Sequence, residues 1–89
     1  MKLIFSEAAW EQYLYWQQTD KKLAQKINAL LQDCQREPFD GIGHPEPLRH
    51  DWAGWWSRRI DKEHRLVYRV VEREGEQQLE IVQCRYHYE

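Results

Sequence analysis

Apolar positions change rhythm along the chain, and each change marks an element. Lys2 to Phe5 is a short apolar-centred run that predicts a first strand. Trp10, Tyr13, Leu14 and Gln17 then recur at helical spacing and predict a helix to about Gln17. Ser6 is placed to cap its start, and Glu7 suits the positive end of its dipole. Leu23, Ala24, Ile27, Leu30, Leu31 and Cys34 fall at i, i+1, i+4, i+7, i+8 and i+11, the apolar stripe of a second amphipathic helix. Thr19 or Asp20 would cap this helix, and Pro38 would end it. Residues 37–53 read as a long loop, a length that is usually functional in a small domain. Three segments rich in β-branched and aromatic residues follow: Trp55 to Ile60, Arg65 to Val71 and Leu79 to Tyr86. Turns are expected at Asp61 to His64 and at Glu74 to Gln78. The expected fold is α+β: a short N-terminal strand, then an α-hairpin packed on one face of an antiparallel three-stranded meander.

The 89 residues make one expected domain, 1–89. With 42% hydrophobic residues and five tryptophans, the chain has the means to fold despite 31% charged residues. The N-terminal apolar run, Leu3-Ile4-Phe5, is too short for a signal peptide, and no stretch is long enough to span a membrane. A soluble cytoplasmic protein is expected, with Cys34 and Cys84 reduced and buried. A net charge of −2 argues against a bulk nucleic-acid binder. Yet Arg49 to Arg69 holds six Lys/Arg against three acids, so one basic face is expected over an acidic remainder.

Opposed residues of an antiparallel pair have a constant index sum. A second turn centred near Glu76 sets Arg65 opposite His87, and a first turn centred near Lys62 sets Arg59 opposite Arg65. Arg59, Arg65 and His87 would then share one row. Like charges face to face are destabilising, so such a row points to an anion, and phosphate suits arginine. The ordinary alternative is a solvated basic surface. Glu46 is flanked by Pro45 and Pro47, which hold its carboxylate on stiff backbone. A rigid carboxylate, a cationic centre and an imidazole are the groups that RNA cleavage by the 2′-hydroxyl requires. The four histidines lack metal-ligand spacing, so no metal or other cofactor is expected. Trp52, Trp55 and Trp56 could stack on bases, although at least two of them are expected to be structural.

Several segments in this order resemble one family: Met1-Lys2-Leu3-Ile4, Tyr13-Leu14-Tyr15-Trp16, Pro45-Glu46-Pro47-Leu48, Trp56-Ser57-Arg58-Arg59-Ile60, Glu63-His64-Arg65-Leu66-Val67-Tyr68 and Cys84-Arg85-Tyr86-His87-Tyr88. Over nearly the whole chain they are similar to the YoeB-type toxins of bacterial type II toxin–antitoxin modules, within the RelE-like group. The resemblance implies a metal-independent endoribonuclease that cuts messenger RNA in the ribosomal A site. It implies Glu46 as general base, Arg65 as transition-state stabiliser and His87 as general acid. Arg49, Arg59 and Tyr88 match positions that face the RNA. The implied partners are a cognate YefM-like antitoxin, the 70S ribosome with its mRNA, and a second copy of the chain in a homodimer, with no membrane. Two features depart from the family pattern: the second turn is longer and more acidic, and Glu89 follows Tyr88. The competing readings are a toxin of the same fold that poisons gyrase by binding, and a plain RNA-binding module. The joint presence of Glu46, Arg65 and His87 separates the first reading from both.

Overall fold

The computed structural model describes residues 1–87, so Tyr88 and Glu89 lie outside the described residues. The elements are β1 (Lys2–Phe5), α1 (Glu7–Thr19), α2 (Lys21–Arg36), β2 (Glu46–Pro47), a 3-10 turn (His50–Trp52), β3 (Trp56–Arg59), β4 (Arg65–Arg73) and β5 (Glu76–Gln83). The helix signals work as expected. Ser6 Oγ accepts the Ala9 N–H at 3.1 Å, and Asp20 rather than Thr19 caps α2 by accepting the Leu23 N–H at 3.1 Å. Glu37 is extended at φ −147° and ψ 95°, as a residue before proline must be, and there α2 stops.

Both helices cover one face of the sheet. Ala9 and Trp16 of α1 and Ala24, Ile27, Leu30, Leu31 and Cys34 of α2 pack on Ile60, Leu66, Tyr68, Leu79, Ile81 and Cys84. Each large aliphatic side chain so buried contributes roughly 1.5–3 kcal/mol. Cys34 and Cys84 are free and buried, and burial pushes their thiols up to about 11 and about 12. They are packing residues, as expected. Trp10 and Leu14 of α1 stay substantially exposed. Among the described residues no helix is long and apolar enough to cross a membrane.

Three expectations need correction. First, the sheet has five strands in the order β1-β5-β4-β3-β2, and β1 runs parallel to β5, with Leu3 beside Leu79 and Phe5 beside Ile81. The antiparallel meander is present, but inside a mixed sheet. A parallel partner is set by long-range closure, which local alternation does not report. Second, the loop 37–53 is not structureless. Glu46 and Pro47 pair with Ser57 and Trp56, and Leu48 N–H donates to Trp55 O at 2.9 Å. Pro47 lacks an N–H, which suits the edge position that β2 holds.

Third, the second hairpin turns tightly at Glu74 and Gly75, whose φ values of 55° and 77° give the two-residue turn that matches strand twist. Arg73 therefore pairs with Glu76, and a register shift follows at Val67/Tyr68. The ladder ends with Val67 beside Gln83, so His87 is not opposite Arg65. Arg65 N–H instead donates to Tyr86 O at 3.0 Å, and His87 is the next residue along. The first hairpin keeps the expected register, with Arg59 opposite Arg65.

Candidate active site

The sheet face turned away from the helices carries the polar groups. Glu46 sits at the β2 edge opposite Ser57, on backbone stiffened by Pro45 and Pro47. Arg65 opens β4. Its Nη2 donates to Glu46 Oε1 at 2.5 Å and to Ser57 Oγ at 2.7 Å. The Arg65 side chain is 15% exposed and that of Glu46 53% exposed. So open an ion pair adds little stability. What it does is aim the groups: Ser57, fully buried, and Glu46 hold the guanidinium from two sides. Glu46 also relieves the opposition of Arg59 and Arg65 across β3 and β4.

Glu46 also lines a surface groove of about 590 Å³ whose other walls are Pro47, Leu48, Arg49, His50, Asp51 and Trp52. Arg49 is exposed and heads the 3-10 turn. Arg59 is exposed, and its N–H donates to Gly43 O at 2.6 Å. Two other cations of the basic stretch are tied down: Arg58 to Asp33, and Arg69 to Glu80 at 2.8 Å. His87 is exposed and directly follows the residue that accepts the Arg65 N–H. Glu46 and Arg65 are thus paired, Arg59 lies opposite Arg65 in the ladder, Arg49 shares the groove with Glu46, and His87 comes one residue after the acceptor of the Arg65 N–H. The expected position of Tyr88 lies outside the described residues. Of the three tryptophans, Trp52 lines the groove. Trp55 lies under the Arg69 guanidinium at 4.5 Å, and Trp56 packs on the core and on Phe39. Among the described residues no group of three or more His, Cys, Asp or Glu side chains converges as a metal site.

Sequence reasoning missed the supports of this site. Ser57 follows from the register of the first hairpin, which puts it on the same face as Arg59. Arg58 is the larger omission. It alternates inward between Ser57 and Arg59 and is fully buried. Its Nε donates to Tyr68 Oη at 3.2 Å, Nη1 to Asp33 Oδ2 at 2.5 Å and Ile42 O at 3.1 Å, and Nη2 to Glu37 O at 2.6 Å and Asp40 O at 2.9 Å. The Arg58 guanidinium, with the Ile42 N–H, holds the Asp33 carboxyl down at about 2. Burial pushes the Tyr68 hydroxyl well above its usual range, and it donates to Pro38 O at 2.6 Å. Arg58 therefore staples the segment from Glu37 to Ile42 onto the core, just upstream of Glu46. Gly43 completes the approach at φ 80°, where a Cβ would meet Leu30 Cδ2 at 2.7 Å. A cation at an inward strand position was the available signal, because such a group requires a buried acceptor.

The family model that describes YoeB-like toxins of bacterial type II toxin–antitoxin systems matches residues 5–88. The chain belongs to this family. Toxin YoeB of Escherichia coli (strain K12) is 57% identical over 88 residues, covering 99% of this YoeB-like chain and 100% of the relative. The solved YoeB/ParE toxin from Agrobacterium tumefaciens is 52% identical with a TM-score of 0.94, covering 99% and 100% of the two chains. YoeB of Staphylococcus aureus has been solved as a dimer, with a TM-score of 0.87, 45% identity and coverage of 99% and 98%. It has also been solved in a heterotetrameric complex with YefM, with a TM-score of 0.85 and the same identity and coverage. The α+β fold expected from the sequence is therefore the fold of its relatives.

Proposed function

We propose that this YoeB-like chain is an endoribonuclease that cuts messenger RNA in the ribosomal A site and so stops translation. One observation carries the reading. A half-exposed carboxylate, Glu46, is paired at 2.5 Å with a guanidinium, Arg65, beside an open groove, and His87 directly follows Tyr86, whose carbonyl accepts the Arg65 N–H. Glu46 takes the proton from the 2′-hydroxyl, which attacks the adjacent phosphate. Arg65, helped by Arg59 and Arg49, neutralises charge that builds on the non-bridging oxygens. His87 protonates the leaving 5′-oxygen. Tyr88 is assigned to RNA binding by its match to the family motif alone. The products are a 2′,3′-cyclic phosphate and a 5′-hydroxyl. The nucleophile belongs to the substrate and a carboxylate activates it, so the reaction calls on no metal or cofactor.

The resting Glu46–Arg65 pair gives the sequence of events. The non-bridging oxygens of the phosphodiester monoanion compete with Glu46 for the guanidinium fork. When Arg65 turns to the phosphate, the Glu46 oxygen it occupied is freed to accept the proton of the arriving 2′-hydroxyl.

The chain acts in the cytoplasm, as a single domain, on translating ribosomes. Its net charge of −2 gives weak, salt-sensitive attraction to free RNA. Free RNA seldom sets the 2′-oxygen in line with the leaving oxygen, whereas a ribosome holds the message for the toxin to bend. Orientation of this kind can supply several kcal/mol. A YefM-like antitoxin restrains the activity, as the solved complex of the S. aureus relative supports, and the toxin forms homodimers as that relative does.

Primer extension on one message, with and without ribosomes at matched toxin, tests this reading. Cuts phased to A-site codons and dependent on ribosomes are expected. A single 2′-deoxy substitution at the cut site should abolish cleavage there. Equal, unphased cutting in both samples, or cleavage at the deoxy position, refutes it.

A further inference from the structure

We infer that His64 is a positioning residue for the C-terminal acid: its unprotonated Nδ1 clasps the Tyr86 backbone and so aims His87 at the Arg65 end of the site. This rests on the reading of His87 as general acid.

The need for a clasp follows from topology. The β5 ladder ends at Gln83, and His87 is carried four residues further on, outside any strand. Cys84 is still anchored, with its N–H on Gln12 Oε1 at 2.8 Å and its carbonyl accepting Trp16 Nε1–H at 2.9 Å. Beyond it, Tyr86 adopts φ 68°, a left-handed conformation that a bulky residue holds only when its surroundings impose it. Three hydrogen bonds impose it. Tyr86 N–H donates to His64 Nδ1 at 2.7 Å, and Tyr86 O accepts from Arg65 N–H at 3.0 Å and Gln83 Nε2 at 3.1 Å. The two bonds to the carbonyl leave the peptide free to pivot about it. The bond from His64 removes that freedom and fixes the direction in which the chain leaves towards His87.

His64 is itself built in. The residue is 8% exposed, and its ring sits edge-on to Trp16, with centroids 4.8 Å apart. Its N–H donates to Asp61 Oδ1 at 2.7 Å and its carbonyl accepts the Ile60 N–H at 3.0 Å, which lock it at the β3–β4 turn. Because Nδ1 accepts a backbone N–H, the neutral ring carries its proton on Nε2, which lies 3.6 Å from Glu63 Oε1. The residue thus joins the turn that starts β4, hence Arg65, to the tail that carries His87. A histidine that served packing alone would need no acceptor at Nδ1.

Two substitutions separate acceptor from ring. His64→Asn keeps an acceptor where Nδ1 stood and loses the ring on Trp16. His64→Phe keeps the ring and loses the acceptor. In steady-state cleavage on programmed ribosomes, His64→Phe should lower kcat by about 10- to 100-fold with KM little changed, the cost of a misplaced group. His64→Asn should melt earlier yet keep kcat within about threefold, a loss well short of misplacement. In ¹⁵N spectra of the free toxin, the wild type should show an unprotonated His64 Nδ1 and a slowly exchanging Tyr86 amide. The amide protection should survive in His64→Asn and vanish in His64→Phe. His87→Gln in the same assays tests the underlying reading. If His87→Gln is fully active, the acid assignment fails, and the clasp is then judged on the amide alone. The clasp itself is overturned if His64→Phe leaves the Tyr86 amide protected, or if it keeps full kcat while His87→Gln abolishes cleavage.

Discussion

Arg58→Lys keeps the buried charge and changes its shape, and the structure sets what that costs. Arg58 serves five acceptors: Tyr68 Oη, Asp33 Oδ2, Ile42 O, Glu37 O and Asp40 O. A lysine ammonium has three donors on one nitrogen, so at least two acceptors go unserved. Each buried orphan costs about 1–3 kcal/mol. Glu37, Asp40 and Ile42 are exposed residues whose carbonyls water can reach in part, so the lower end applies. The expected loss is about 2–3 kcal/mol, a large share of the roughly 5–15 kcal/mol that holds a small domain folded. For a chain of this length it corresponds to a fall in Tm of roughly 10–20 °C. Urea titration followed by tryptophan fluorescence gives the number, and an unchanged m-value would confirm that the native state alone is affected. A loss below about 0.5 kcal/mol would mean the fork geometry is irrelevant and the staple is only a buried charge.

Three further outcomes are expected. Arg65→Ala should cut the rate of the chemical step by more than Arg49→Ala, since the proposed mechanism has Arg65 meet charge that develops only in the transition state; equal losses confined to KM in ribosome-bound cleavage would reduce both to backbone binders. His87→Gln should abolish growth arrest while leaving the circular dichroism spectrum and antitoxin binding intact, and a fully toxic variant would remove His87 from the mechanism. Asp33 is held at about 2 against an ordinary 3.8, so the unfolded chain binds the extra proton; stability from this carboxylate is complete above pH 4 and lost as pH falls towards 2. Asp33→Asn should flatten that part of the acid-unfolding curve, and an unchanged curve would refute the linkage.

How much of this was legible in the chain divides along physical lines. Helix signals are local, and they worked: Ser6, Asp20 and Pro38 mark ends because a cap or a proline acts within one turn. The first hairpin was legible because Asp61 to His64 leaves little room for another register. The second was not, because Glu-Gly in a two-residue turn competes with the longer reading through Gln78, and a register shift at Val67/Tyr68 moves the partners again. His87 was misplaced for that reason alone. β2 was invisible because a two-residue edge strand with a proline has no periodicity to detect. Glu46 stood out because its own neighbours, two prolines, stiffen it. Ser57, Asp33 and His64 did not, because each acts through a partner distant in sequence: Arg65, Arg58 and Tyr86.

The buried polar groups are better understood through position than through stability. Replacing a buried ionic network by well-packed apolar residues is often neutral or stabilising, so Arg58 and Asp33 are weak evidence of a need for stability. What an apolar core cannot do is fix an irregular segment to one position, because dispersion contacts are non-directional and tolerate sliding. The two parts of the site that lie outside long strands are the Glu46 edge and the His87 tail. Each is reached through an irregular stretch, 37–45 and 84–86, and each stretch is tied to the core by a directional polar group: Arg58 for the first, His64 for the second. Arg65, by contrast, starts a regular strand and is aimed by the ladder and by Ser57. Directional bonds therefore fall where regular secondary structure gives out. On the proposed reading, a short chain with room for one sheet and two helices in this way positions three groups from distant parts of the sequence for one phosphate.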